Sequence, residues 1–172
     1  MPKMSPDEVQ AFLVEPGKLC RIATLKVLGA PHVTPAWFIY EDGRIYMTPR
    51  AESSWLANIR RDARVALTID EDPLPYRKVT VEGLATVVRE TGDDDIWRDQ
   101  YRRIARRYSS PEGAEAYIQR TIDQPRGLIA IPLEGSLVRS WRMPVGDENG
   151  TGMWHKRYYL PGTKMAGEVA CD

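Results

Sequence analysis

The sequence predicts an α+β domain built on a closed or nearly closed antiparallel β-barrel with flanking helices. Three observations carry that expectation. Strand-like runs come in pairs joined by turn signals. The helical segments interrupt these pairs without the strand-by-strand alternation of a parallel α/β sheet. Gly83 stands inside the longest strand-like run, where it permits the bulge or sharp bend that barrels require. A chain of 172 residues is most simply one domain, placed at 1–143 with a C-terminal tail over 144–172.

The first element is a helix opened by Ser5-Pro6-Asp7-Glu8. Ser5 caps, Pro6 suits the first turn, and Glu8 completes a capping box. Val9, Phe12 and Leu13 form its apolar face, and Pro16-Gly17 ends it. Leu19 to Leu25 reads as a strand, Leu28 to Pro31 as a turn, and His32 to Tyr40 as a second strand. Glu41-Asp42-Gly43 signals a hairpin, so Arg44 to Thr48 pairs back. Pro35 cannot donate a ladder hydrogen bond. Its strand is therefore a plain edge strand, or one whose neighbouring backbone at Thr34 and Ala36 is left to meet a ligand.

A helix from Ser53 to about Arg61 turns Trp55, Leu56 and Ile59 inward and Arg60 and Arg61 outward. Arg64 to Ile69 is a strand. After a loop stiffened by Pro73 and Pro75, Lys78 to Val88 is the longest strand, with Val79, Val81, Ala85 and Val87 on one face. Asp93 to Tyr108 is a helix whose three leading aspartates favour its positive end. Trp97, Tyr101, Ile104 and Tyr108 form its apolar face, and Arg102, Arg103, Arg106 and Arg107 form a solvated one. Ser110 caps a further helix from Pro111 to about Ile122. Arg126 to Leu133 and Ser136 to Trp141 read as a closing hairpin around Glu134-Gly135.

Composition removes several function classes. Lys plus Arg equal Asp plus Glu at 24 each, which argues against a dedicated nucleic-acid binder, and the run RRIARRY reads as core aromatics backed by wet arginines. No run approaches the ~20 apolar residues of a membrane helix, and MPKMSPDEVQ lacks an apolar signal core. A soluble, cytoplasmic protein with no membrane or nucleic-acid partner is expected. Cys20 and Cys171 make no disulfide framework, and His32 and His155 make no His-rich metal site. The nucleotide-binding glycine motifs and the G-x-S-x-G elbow are absent, and no catalytic side chain is assigned.

What remains is the polar loop holding Thr48, Arg50, Ser53 and Ser54. A helix start exposes unpaired N–H groups and a partial positive charge, so it suits a phosphate. An arginine beside it can grip phosphate with two parallel bonds. Ser there is equally an ordinary cap and Arg an ordinary solvated charge.

The segments HVTPAWFIY, EDGRIYMT, NIRRDARVALTID and VTVEGLATVV, and the final GLIAIPLEGSLVRSW, taken in that order, carry a resemblance. The chain resembles the pyridoxamine 5′-phosphate oxidase-like split β-barrel family. That family includes FMN-binding oxidases and reductases and the flavin/deazaflavin oxidoreductases that use F420. The likeness runs best from about Leu19 to Arg89. It implies a homodimer with FMN, or alternatively F420, in each of two clefts at the subunit interface. The implied activity is oxidoreduction of an unspecified small-molecule substrate; the alternative is a non-catalytic FMN- or F420-binding or storage protein. The resemblance lays the backbone of Thr34, Pro35, Ala36 and Trp37 along the ring. It brings Thr48 and Arg50 to the ribityl and phosphate part, and Ser53, Ser54 and the turn at Trp55 to the phosphate. Arg77 and Lys78 close the cleft. Tyr40 positions substrate, with Trp141 and Arg142 reaching in from the partner subunit. The chain departs from the family at Trp55, where many members carry a lysine that contacts the phosphate. A longer cationic groove for the acidic tail of F420 would draw on Arg60, Arg61 and Arg64, which are otherwise solvated.

Overall fold

The computed structural model describes residues 2–148 and 158–168. In chain order these form α1 (Pro6–Val14), β1 (Cys20–Leu25), β2 (Pro31–Ala36), β3 (Ile39–Glu41), β4 (Arg44–Met47), α2 (Ser54–Arg61), β5 (Arg64–Asp70), β6 (Lys78–Leu84), β7 (Thr86–Arg89), α3 (Asp94–Arg106), α4 (Pro111–Arg120), β8 (Leu128–Pro132), β9 (Leu137–Trp141) and a short α5 (Lys164–Glu168). Much of the tail, including the segment DENGTG read as a loop from its sequence, lies at least partly outside the described residues.

Two antiparallel sheets result. One runs β2-β1-β5-β6-β9, the other β3-β4-β8-β7. Ile22, Leu67, Ile69, Val79 and Val81 of the first meet Ile45, Met47, Ile129 and Ile131 of the second in one buried core, which Phe12 and Leu13 of α1 and Leu56 of α2 complete. Each such side chain contributes roughly 1.5–3 kcal/mol by leaving water.

Three expected continuities are broken, always where the chain passes between sheets. The run from His32 to Tyr40 is two strands, β2 in the five-stranded sheet and β3 in the other, separated at Trp37 and Phe38. The run from Lys78 to Val88 divides at Ala85, whose N–H donates to the Ala63 carbonyl at 2.8 Å. Gly83 is not the bend: it pairs in register with Val65. A Cβ there would sit 2.2 Å from Ser136 Oγ and 3.1 Å from its Cβ, so the β8–β9 connection crosses closely over the glycine and a side chain here would displace Ser136. The closing hairpin is also overturned. β8 pairs with β4 and β7, while β9 pairs with β6, and Gly135 (φ 75°) helps carry the chain across. Pro35 is in an edge strand, as the simpler reading held.

Other local readings stand. Ser5 Oγ accepts the Glu8 N–H at 3.2 Å, and the Ser5 N–H donates to Glu8 Oε2 at 2.6 Å. Asp42 (φ 49°) and Gly43 (φ 73°) make the β3–β4 turn with two left-handed residues. Asn58 is buried and donates to Thr24 Oγ1 at 3.0 Å, tying α2 to β1.

α3 and α4 form a third layer. Trp97, Tyr101, Ala105, Ala114 and Ile118 pack on Leu128, with Trp37, Tyr46 and Tyr117 at the edge. Arg107, expected in solvent, instead donates to the carbonyls of Leu13, Val14 and Glu15 at 2.8–2.9 Å and so caps the end of α1. Among the described residues no helix is long and apolar enough to cross a membrane.

Candidate functional site

A cavity of about 260 Å³ opens where β2, the β4–α2 loop and the α3–α4 layer meet. Pro35, Ala36 and Trp37 line one side. Thr48, Arg50, Ser53 and Trp55 line the second, and Tyr101, Tyr117 and Arg126 the third. Trp37 is braced from behind: it stacks on Tyr108 with centroids 4.9 Å apart and meets Tyr117 edge-on at 5.4 Å. β2 is an edge strand, so its outer backbone has no sheet neighbour among the described residues.

Two arginines meet here because the β4–β8 ladder continues past its named ends. Arg50 and Arg126 form an isolated antiparallel bridge. Around them the Ala51 N–H donates to Pro125 O and the Gly127 N–H to Pro49 O, each at 2.9 Å. The Arg126 side chain is buried. It donates from Nη1 to Thr48 O at 3.0 Å and from Nη2 to the Tyr117 hydroxyl at 3.1 Å, while its Nε has no partner. Its guanidinium lies 4.7 Å from the Tyr101 ring centroid. Arg50 Nη2 reaches the same Tyr117 hydroxyl at 3.5 Å. Asp94, expected only to charge a helix end, is buried beside this site, and its carboxylate accepts the backbone N–H of Arg126 at 3.0 and 3.2 Å.

The tyrosines report the local field. Burial pushes the Tyr101 phenol up to about 12. Burial also acts to raise Tyr117, but the Arg50 and Arg126 guanidiniums outweigh it and hold that phenol below its ordinary value. The donor set fits an anion with a flat, ring-bearing body: unspent guanidinium N–H, a second arginine, and aromatic walls.

A family model described as pyridoxamine 5′-phosphate oxidase matches residues 5–134. The chain belongs to this family. Structural neighbours agree with the fold. The conserved hypothetical protein Rv2991 of Mycobacterium tuberculosis is 27% identical, with 84% of this chain and 94% of that chain covered and a TM-score of 0.63. A protein of Mesorhizobium loti described as FAD-binding is 20% identical over 81% of this chain and 95% of that one, TM-score 0.55. HutZ of Vibrio cholerae, described as a heme storage protein, is 18% identical over 78% and 94%, TM-score 0.56. No curated protein matches the sequence.

Within this family fold, the expected site residues divide into three groups. Pro35, Ala36, Trp37, Thr48, Arg50, Ser53 and Trp55 share the cavity. Thr34 and Ser54 flank it without lining it. Ser54 Oγ sits 3.5 Å from His32 Nδ1, and Thr34 pairs with Ile22 inside the sheet. Ser53 occupies the N-cap position of α2, yet its hydroxyl donates to Arg50 O at 2.7 Å instead of capping.

The third group lies elsewhere in the chain. Tyr40, Lys78 and Trp141 line a separate groove of about 1050 Å³ along β9. Arg142 is held by Glu148 at 2.6 and 2.7 Å. Arg77 does not close the cavity, because Glu15 and Glu71 claim its guanidinium at 2.7–2.9 Å. Arg60, Arg61 and Arg64 are likewise engaged, by Glu90, the Leu25 carbonyl and Asp62.

Arg126, Tyr101 and Tyr117 were not expected at the site. The sequence marks Arg126 only by its place between Pro125 and Gly127 at the mouth of an apolar run. Only the β4–β8 register brings it opposite Arg50.

Proposed function

We propose that this protein is an FMN-dependent oxidoreductase for a small-molecule substrate, working as a homodimer. One observation carries the reading: the β2 edge segment and the Thr48–Trp55 loop, which the family resemblance assigns to ring and phosphate, converge on one cavity that also holds two arginines. A bound flavin would supply the electron-transfer chemistry itself. The chain would supply the rest. The β2 backbone from Thr34 to Trp37 flanks the ring, Thr48 and Arg50 orient the tail, and Trp37 and Trp55 exclude water.

Two features support a second copy. The cavity is smaller than the roughly 300–1,000 Å³ of complete ligand pockets. On the outer face of the five-stranded sheet, the register aligns Val33, Ala23, Ala66, Glu82 and Leu137 in one row, with Val33 61% and Leu137 48% exposed. Apart from Glu82, which Arg139 neutralises, the side chains of this row are small or apolar and suit face-to-face packing. Tyr40, Lys78, Trp141 and Arg142 would then border the substrate from the partner. FMN is favoured over F420 because the arginines that a longer acidic tail would need are engaged internally.

The test is a visible spectrum of the purified protein, with mass spectrometry of any released ligand and sedimentation analysis. FMN in a dimer supports the reading. F420 would transfer it to the deazaflavin branch, and a monomer that takes up neither would sink it. Turnover with NAD(P)H and a panel of acceptors separates an oxidoreductase from a storage protein.

A further inference from the structure

We infer that Arg126 is the principal anion anchor of the cavity, and that with Arg50 it forms a receptor for a phosphate-monoester dianion. The receptor is built on the isolated backbone bridge between the β4–α2 loop and the α4–β8 connection and does not depend on the start of α2. This deepens the cofactor reading and rests on it only for the choice of flavin as probe.

Arg126 is 7% exposed. Among the described residues, no carboxylate forms an ion pair with its guanidinium. The bonds it makes go to two neutral acceptors, Thr48 O and the Tyr117 hydroxyl. Asp94 does not serve it, since that carboxylate is bonded to the Arg126 backbone N–H. A buried charge without a counter-charge is costly, and natural proteins pair such groups.

The position of Arg50 sharpens the case. Like charges directly opposite across an antiparallel pair repel. Here Arg50 and Arg126 are bridge partners and both approach one phenol oxygen within 3.5 Å. Their two formal charges match a dianion. The Nε of Arg126 is buried without a partner, so the planar fork, a shape suited to phosphate oxygens, is not fully satisfied within the described residues.

The start of α2 is a weaker candidate. Ser53 spends its hydroxyl on Arg50 O, Ser54 lies outside the cavity, and Trp55 brings no cation. Arg126 thus supplies from the α4–β8 connection the charge that Trp55 does not supply from the helix.

FMN and riboflavin differ only in the phosphate, so their affinity ratio isolates the anchor. Fluorescence titration of the full-length protein should show FMN binding more tightly than riboflavin. Arg126→Gln should cut that preference roughly 10- to 100-fold, the range for hydrogen bonds to charged groups, with FMN affinity falling by more than riboflavin affinity. Arg50→Gln should cut it less.

A second readout uses the unmodified chain and inorganic phosphate. The ¹⁵N-resolved Nε–Hε resonance of Arg126, assigned with Arg126→Lys, should move on titration with phosphate and not with chloride at equal ionic strength. That readout holds even if Arg126→Gln fails to fold. A phosphate preference that survives in Arg126→Gln, or an Arg126 resonance unmoved by phosphate, overturns the inference. Protein that binds neither flavin while phosphate still moves the resonance keeps the anchor and loses the cofactor reading. FMN bound with an unaltered preference in Arg126→Gln does the reverse.

Discussion

Arg77 and Arg126 are both largely enclosed, and each lies over an aromatic ring, Arg77 4.9 Å from the Phe12 centroid and Arg126 4.7 Å from that of Tyr101. Their partners differ. Arg77 meets two carboxylates, Glu15 and Glu71, with four side-chain contacts of 2.7–2.9 Å. Arg126 meets a carbonyl and a phenol, and its Nε stays unspent. The same residue type therefore does two jobs. Where its donors are consumed and its charge is balanced, arginine is a clamp that joins α1 to the β5–β6 loop. Where donors remain and the charge is unbalanced, it is a receptor.

The helix starts repeat the contrast. At α1 Ser5 and Glu8 satisfy each other's backbone, whereas at α2 Ser53 turns away and leaves its cap unmade.

The largest expected effect is on the clamp. Arg77→Met should cost about 2 kcal/mol in urea unfolding, below the ~3–5 of a fully buried pair because Glu15 is partly exposed. Arg126→Met in phosphate-free buffer should cost less than about 1 kcal/mol, since relief of repulsion from Arg50 offsets the lost hydrogen bonds. If Arg126→Met proves the more damaging of the two, the distinction between clamp and receptor fails.

Acid provides the next test. Hydrogen bonding to Arg77 holds the Glu15 and Glu71 carboxyls below their ordinary value of 4.5. A carboxyl lowered in the folded state contributes stability that is present above its unfolded pKa and lost as pH falls through the folded one. Wild type should therefore lose more stability than Arg77→Met as pH drops below about 4.5. The difference should be on the order of 1 kcal/mol after screening at Glu15. Parallel urea curves for the two proteins across that range would remove the clamp.

Smaller effects separate the two helix starts. Ser5→Ala should cost about 1 kcal/mol and Ser53→Ala only a few tenths, because only the first breaks a cap bond. Equal shifts in melting temperature would show that α2 is capped in solution as α1 is.

The elements legible in the chain were those decided within a few residues. The Ser5 capping box, the Asp42-Gly43 turn and the Ser110 cap, whose Oγ accepts the Gly113 N–H, all depend on side chains near in sequence. Sheet membership was not legible. Alternation tells which face of a strand is apolar but not which strand lies beside it, so the passages at Trp37–Phe38 and Ala85 were invisible and β8 and β9 were wrongly joined. The same limit hid Arg126, while the Thr48–Trp55 loop, contiguous in sequence, was found.

By itself the sequence determined the four main helices, the caps of α1 and α4, the apolar faces of the strands, the family, and two of the three sides of the candidate site. Those depend on short-range hydrogen bonding and on periodicity, which are written in neighbouring residues. Tertiary structure alone decided the strand partners, the capping of α1 by Arg107, the burial of Asp94, and the meeting of Arg50 with Arg126. Those depend on register between distant segments, where a single shift would turn each side chain to the opposite face.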